Sequence, residues 1–346
     1  MKTDEYQIDT HKLMYHPNRV SKWLNGDIIS PIYVEISPYG GCNQRCFFCS
    51  FNYMEYKPIK LDTKILLSTI TNMANFGVKS IMFAGEGEPL LHSDLSKIIN
   101  HTKANGIDCA LTTNGVLLNK TFLKECLKSL SWIKISVDAN EPKTYAKIHG
   151  TSEKDYQKLI QNLKLLSDIK NKYSLECTLG TQILLLRDNI NEVYPLAEHL
   201  GKIGMDYLVV KPFTDHPYRK GNIKEKVKYQ EFLTDLNKTS KIDSLKIIVR
   251  QNAFKKLNNN RNYNKCYALD FWSYLSANGD VYSCSNFLGN ENYVYGNIYN
   301  LSFEDIWKKR KSLSIDIKNC RMACRMDEIN QYLWKLKNPD LHVNFI

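Results

Sequence analysis

Between residues 33 and 210 an apolar run followed by an amphipathic stretch recurs six times. That alternation constrains the chain most. Consecutive βα units feed parallel strands, and parallel strands need helices on their faces. Strands are read at Tyr33–Ser37, Ser80–Ala84, Asp108–Thr112, Trp132–Val137, Leu175–Leu185 and Tyr207–Val210. Helices are predicted at Asp62–Phe76, Ser93–Asn105, Asn119–Leu127 and Asn191–Leu200, with a longer one behind Ser152 that carries Tyr156, Leu159, Ile160, Leu163 and Leu166 on one face. Asp62 and Ser152 suit N-caps; Gly77, Gly106 and Gly201 suit stops. Six units are fewer than the eight of a closed barrel. The expectation is an α/β fold, an open, partial (β/α)6 TIM-like barrel.

Residues 1–30 show no clear period and read as an irregular N-terminal extension, with the barrel core over 31–212. Residues 213–262 are basic, polar and Asn-rich, and read as a linker with a helix near Glu225–Leu236 and a strand at Leu245–Val249. Residues 263–346 have another texture. Phe271–Ser276 and Val281–Ser285 flank Asn278-Gly279, a strong hairpin signal, and Ser302 caps a helix through Trp307. The tail Asn338–Ile346 is expected to pack back on the barrel.

A hydrophobic share of 43% and a charged share of 24% exclude a disordered chain. No run approaches the roughly 18 apolar residues of a membrane helix. The N-terminus has acids and no signal-peptide core, so a cytoplasmic protein is expected. The net charge is +11. It suits nucleic acid, an anionic ligand or solvated surface.

Ten cysteines remain to be placed. Cys42, Cys46 and Cys49 form C-x3-C-x2-C in the loop after the first strand, at the catalytic face of a barrel. Structural zinc wants four ligands, usually as two C-x2-C pairs. Here there are three, with no fourth Cys or His nearby. Three thiolates on a four-iron cluster leave one iron open, and an open position implies a ligand to activate.

This spacing resembles the radical S-adenosylmethionine (SAM) superfamily. The resemblance implies that the open iron binds the methionine amino and carboxylate groups, and that SAM cleavage yields a 5′-deoxyadenosyl radical. Phe48 matches the family's aromatic position beside the adenine. Gly85-Glu86-Gly87-Glu88-Pro89 resembles the family's Gly-Gly-Glu-Pro, with Glu86 in place of the first Gly. Gly87, Glu88 and Pro89 are thereby placed at SAM, with Glu88 on the ammonium. Thr113-Asn114 and Ser136-Val137-Asp138 end strands three and four and resemble segments near the carboxylate and ribose. Gln182 and Val209 are further candidates for the SAM pocket. Taken singly, Asn-Gly and Asp-Ala are common turn chemistry at strand exits.

Cys266, Cys284, Cys320 and Cys324 lie in the C-terminal module. Zinc is one reading. The spacing of Gly279 from Cys284, with Gly296-Asn297-Ile298 and Ser302–Trp307, resembles the SPASM/twitch appendage, which carries auxiliary 4Fe–4S clusters. Four cysteines suit the twitch form with one cluster closed by four protein ligands, although C-x3-C stands where twitch proteins have C-x2-C. Cys109, Cys126 and Cys177 are left as small buried hydrophobes.

The resemblance implies a radical SAM enzyme. The expected reaction is oxidation of a small polar substrate of the sugar, nucleotide-sugar or amino-sugar type, with the auxiliary cluster taking an electron. An epimerase, a decarboxylase and a peptide or protein maturase are the alternatives. Lys211 is a candidate for an anionic group of the substrate, Asp215 and His216 for a base, and Arg250 for a further contact. An acidic electron donor such as flavodoxin or ferredoxin is implied, which a basic surface would suit. A basic zinc-bearing nucleic-acid binder is the non-enzymatic alternative. Its basic residues are scattered, however, apart from Lys308-Lys309-Arg310-Lys311.

Overall fold

The computed structural model describes residues 5–221, 229–236, 241–242, 244–257, 261–317, 320 and 323–345. Among the described residues eleven strands form one sheet: β1 Tyr33–Ile36, β2 Ser80–Phe83, β3 Asp108–Thr113, β4 Trp132–Ser136, β5 Thr178–Leu185, β6 Tyr207–Pro212, β7 Lys241–Ile242, β8 Leu245–Val249, β9 Trp272–Leu275, β10 Asp280–Tyr282 and β11 Val294–Asn297. Their order is β11-β10-β9-β1-β2-β3-β4-β5-β6-β8-β7, so the sheet is open. The six predicted strands lie side by side and parallel, as a partial barrel requires.

The parallel sheet continues past both ends of that core. β8 pairs in parallel with β6, from Tyr207↔Lys246 to Val210↔Val249, so part of the expected linker is a barrel strand. β9 pairs in parallel with β1, from Tyr33↔Trp272 to Ile36↔Leu275. The C-terminal hairpin is therefore hydrogen-bonded into the barrel sheet. Its turn has Gly279 at φ +90°, the conformation that Asn-Gly provides. The helix expected from Glu225 is seen as Tyr229–Leu236; residues 225–228 lie outside the described residues.

Side chains alternate across the strands. Ile133 and Ile135 of β4 are buried against the helices, while Trp132, Lys134 and Ser136 take the opposite face. The helix side is a continuous core in which Ile36, Phe83, Leu111, Ile135, Ile183 and Val210 meet Leu66, Ile70, Leu163 and Leu196. Each such buried side chain contributes about 1.5–3 kcal/mol. Cys109, Cys126 and Cys177 belong to this layer, at no more than 2% exposure.

Of the caps and stops read from the sequence, Ser152 and Gly201 depart from expectation. Asp62 accepts from Ile65 N–H at 2.9 Å, and Gly77 ends that helix at φ +106°. Ser152, expected to cap, makes no side-chain cap bond. The helix Val193–Ile203 runs through Gly201 and stops at Gly204, φ +93°. The sequence reading also missed the helix Pro142–His149.

Residues 1–30 are less irregular than expected. A helix spans Pro17–Leu24, and its Trp23 donates to Asp270 at 2.9 Å. Val20 and Trp23 pack with Phe271 and Leu333, beneath the C-terminal module. Residues 338–345 are exposed, with Leu341 at 89%, and do not pack back on the barrel. Among the described residues no helix is long and apolar enough to cross a membrane.

Candidate active site

The loop carrying Cys42, Cys46 and Cys49 is held by the helix that the sequence reading missed. Arg45 N–H donates to His149 O at 2.9 Å and Phe47 N–H to Ile148 O at 3.2 Å. Gln44 donates to Tyr145 Oη at 2.8 Å. Gly150 ends that helix at φ +56°, where a Cβ would lie 2.3 Å from Arg45 O. A glycine is needed there for the two segments to touch.

The three thiols line one cavity of about 430 Å³ at the carboxyl ends of the strands. All are unpaired cysteines. Burial pushes Cys42 up to about 11, with Glu88 and Cys49 adding to it. Burial raises Cys46 well above the usual thiol value, and Cys49 and Cys42 raise it further. Buried thiols that crowd one another resist ionising until a cationic centre binds them as thiolates. Three such thiols on the wall of one cavity fit an iron–sulfur cluster.

The Gly85–Pro89 turn lies flat against the chain that leads into Cys42. A Cβ on Gly87 would come 2.1 Å from Tyr39 O and 2.5 Å from Gly41 O. Glu88 N–H donates to Gly41 O at 2.8 Å. The Glu88 carboxylate accepts from Thr113 Oγ1 at 2.6 Å, Asn114 N–H at 2.9 Å and Leu90 N–H at 3.0 Å. Burial raises Glu88 and those bonds pull it back. Asn114 Nδ2 reaches Asn43 Oδ1 at 2.8 Å, tying the β3 exit to the cysteine loop.

The next exits are also joined. Gln182 donates to Ser136 Oγ at 2.7 Å, and Lys211 Nζ donates to Gln182 Oε1 at 3.0 Å. Asp138 sits at φ +55°, accepts from Leu184 N–H at 2.6 Å, and is pushed up to about 6 by burial. His149 Nε2 lies 3.5 Å from it.

The structure brings together Phe48, Gly87, Glu88, Thr113, Asn114, Ser136, Asp138, Gln182, Lys211 and the three cysteines around this cavity. Pro89 is buried just behind it. Val209 is not among the lining residues; it packs with Tyr207 and Ile248 below. Asp215 and His216 do not line the cavity either. Asp215 bonds Arg219 at 2.6 Å, and His216 stacks on Tyr53 with ring centres 5.3 Å apart. Sequence reasoning missed Glu35, Lys134 and Arg325, which all line the cavity. For Lys134 and Glu35 the signal was present: each is a charge at an alternate position of an apolar strand.

Cys284 and Cys324 line the same cavity from the C-terminal side; Cys266 and Cys320 do not. Burial pushes Cys266 up to about 12, followed by the closeness of Cys324. Burial raises Cys284 well above its usual value, with Cys324, Cys266 and Cys320 all adding to it. Amide donors surround the sulfurs: Asn286 N–H to Cys284 at 3.5 Å, Met326 N–H to Cys324 at 3.4 Å and Asn330 Nδ2 to Cys266 at 3.5 Å. Four crowded thiols with N–H donors fit a second cluster. None of Cys109, Cys126 and Cys177 lines the cavity.

The radical SAM superfamily profile matches residues 36–200, and an iron–sulfur cluster-binding domain profile, SPASM, matches residues 266–326. The chain is 30% identical over 186 residues to a probable GTP 3′,8-cyclase of Methanococcus maripaludis, covering 51% of this chain and 59% of that protein. It is 38% identical over 112 residues to an S-adenosylmethionine-dependent nucleotide dehydratase of Lacinutrix mariniflava, covering 31% of this chain and 23% of that one. The chain thus spans less than two thirds of these relatives. Its fold is that of Streptococcus suis SuiB bound to its precursor peptide SuiA, with TM-score 0.66, 20% identity, and 89% and 70% of the two chains covered. The family implies a SAM-binding 4Fe–4S cluster, SAM and an auxiliary iron–sulfur cluster. The chain belongs to the radical SAM superfamily, with a C-terminal SPASM-type iron–sulfur domain.

Proposed function

We propose that this enzyme abstracts a hydrogen atom from a small polar substrate held between its two cysteine sets, and oxidises it. When bound, the two clusters supply an electron that splits SAM and a sink for the electron released as the substrate radical loses a proton. One observation supports this reading above the rest: Cys42, Cys46 and Cys49 share a single cavity with Cys284 and Cys324. A substrate there lies between radical source and electron acceptor.

The chain's own residues do the binding. Glu88 takes the methionine ammonium, and Thr113 and the Asn114 N–H hold its carboxylate in place. Phe48 flanks the adenine. Ser136, Gln182 and Lys211 form a fixed polar row beside the ribose. Asp138, raised to about 6, is placed to accept the proton that leaves the oxidised substrate, in the role first assigned to Asp215 and His216. The reductant is an acidic electron-transfer protein, flavodoxin or ferredoxin, which the +11 charge suits.

The names of the relatives favour a second reading. A cyclase and a dehydratase act on nucleotides without net oxidation. Product mass separates the two: oxidation removes two hydrogens, dehydration removes water, and cyclisation leaves the formula unchanged. A cell-extract metabolite that loses two hydrogens, in step with 5′-deoxyadenosine formed, supports the first. A redox-neutral product overturns the oxidation and leaves the reaction class intact.

A further inference from the structure

The chain that leaves the first cysteine set runs on to the second. After Cys49 a short 3-10 turn spans Asn52–Met54. The turn is clamped to the loop that follows β6. Asn52 Nδ2 donates to Lys220 O, and Lys220 N–H donates to Asn52 Oδ1, both at 2.9 Å. The same loop fixes the ring of Tyr53. His216 stacks on it with ring centres 5.3 Å apart and planes 19° apart, and Tyr218 meets it edge-on at 5.7 Å. His216 is itself buried. The loop that was expected to supply a base therefore serves to hold a tyrosine.

The hydroxyl held in this way is buried and makes no hydrogen bond to any described residue. A buried donor without an acceptor is costly, and native structures rarely leave one. The surroundings of Tyr53 are those of the second cysteine set. It packs in one apolar cluster with Cys266, Cys284, Cys320 and Cys324. Burial, then Glu86, Tyr218, Tyr282 and Cys284, push the hydroxyl above the ordinary tyrosine value, so it keeps its proton and remains a donor. Glu86 is bonded to Tyr274 and to Ala277 N–H instead. Tyr53 does not line the cavity, so a substrate there does not supply the acceptor. Sulfides and thiolates of an iron–sulfur cluster are acceptors of the required kind, and hydrogen bonds to them help set its potential.

We propose that Tyr53 is a positioning residue of the second cluster: its hydroxyl donates to a sulfur of the cluster held by Cys266, Cys284, Cys320 and Cys324, and raises the reduction potential of that cluster. Reduction adds negative charge to the sulfurs, so a donor stabilises the reduced form more than the oxidised one. The second cluster is thereby made a better electron acceptor, through a side chain that belongs to the loop of the first. The inference rests on the oxidation proposed for this enzyme for the use of the raised potential, not for the contact itself.

Redox titration of the anaerobically reconstituted full chain, followed by electron paramagnetic resonance, tests this without turnover. Added SAM marks the signal of the first cluster. Tyr53→Phe keeps the ring on His216 and removes only the donor. The reduction equilibrium of the second cluster should fall by about tenfold, or about 59 mV for one electron, with the first cluster unmoved. The reduced second cluster should also lose one coupled proton that exchanges in heavy water. Tyr53→3-fluorotyrosine makes a stronger donor and should shift the midpoint upward, an opposite sign that a merely structural role would not give. An unmoved midpoint in a loaded Tyr53→Phe protein, or an equal shift of both clusters, overturns the inference. Should Tyr53→Phe not retain its iron, the fluorinated protein decides: a rise supports the contact, and no change or a fall overturns it. About four irons per wild-type chain, in place of about eight, would remove the second cluster and the inference with it. A redox-neutral product beside a shifted midpoint would overturn the oxidation and leave Tyr53 in place.

Discussion

The hydroxyl of Tyr274 both donates to the Glu86 carboxylate and accepts from the Glu86 N–H, the latter at 3.1 Å. The same carboxylate accepts from Ala277 N–H at 2.9 Å. Glu86 stands where the family pattern has a glycine. Here it binds the Gly85–Pro89 turn to the C-terminal hairpin, so the departure from the pattern links the two cysteine-bearing regions. Tyr274→Phe leaves a buried carboxylate and a backbone N–H short of partners, which costs about 1–3 kcal/mol. The apparent unfolding midpoint should fall; an unchanged midpoint would deny the link.

Glu88→Gln keeps the shape of the site and removes its charge. SAM affinity should drop by about ten- to a hundredfold, the scale of a hydrogen bond to a charged group. Titration of SAM into the cluster-loaded protein checks this, and unaltered affinity would remove Glu88 from the ammonium.

Gly87→Ala places a methyl against two backbone carbonyls, at 2.1 and 2.5 Å, which no rotamer change relieves. The turn must lift away from the chain that enters Cys42. Iron analysis should show loss of the first cluster while the SPASM-side iron persists. Full iron content would show that the close approach is not required.

Lys134→Met should alter stability in a pH-dependent way. Burial, then the nearby cations, push Lys134 down to about 7 in the folded protein, from an ordinary lysine value of 10.5. Between those values the unfolded chain binds more protons, so the wild type gains stability as pH rises. The charged groups facing Lys134 are Lys211, Arg250, Arg325 and Glu35. Lys134→Met should therefore be more stable than wild type near pH 6, with the advantage shrinking toward pH 10. A constant difference across that range in thermal unfolding would contradict the buried, crowded ammonium.

Local signals carried the six core strands, the Asp62 cap, the Asn278-Gly279 turn and the cysteine loop, because each is fixed by neighbours in sequence. The helix at Pro142–His149 escaped because eight residues with Tyr145 and Ile148 buried make too short a period to stand out. The roles of β8 and β9 escaped for another reason. Period-two patterning shows that a strand exists, not which edge it joins. Arg325 on Glu35, 290 residues apart, is a product of that joining, as is the meeting of Cys284 and Cys324 with the first cysteine set. The sequence points to Asp215 and His216 for their chemistry near a strand exit, but the loop directs Asp215 to Arg219 and His216 to Tyr53.

Two iron–sulfur clusters bordering one cavity, the first of them splitting SAM, can be tested by anaerobic reconstitution, with iron and sulfide measured beside 5′-deoxyadenosine formed under strong reductant. About eight irons per chain and reductant-dependent 5′-deoxyadenosine are expected, with SAM cleavage lost in Cys46→Ala. Iron-loaded protein that leaves SAM intact would contradict it.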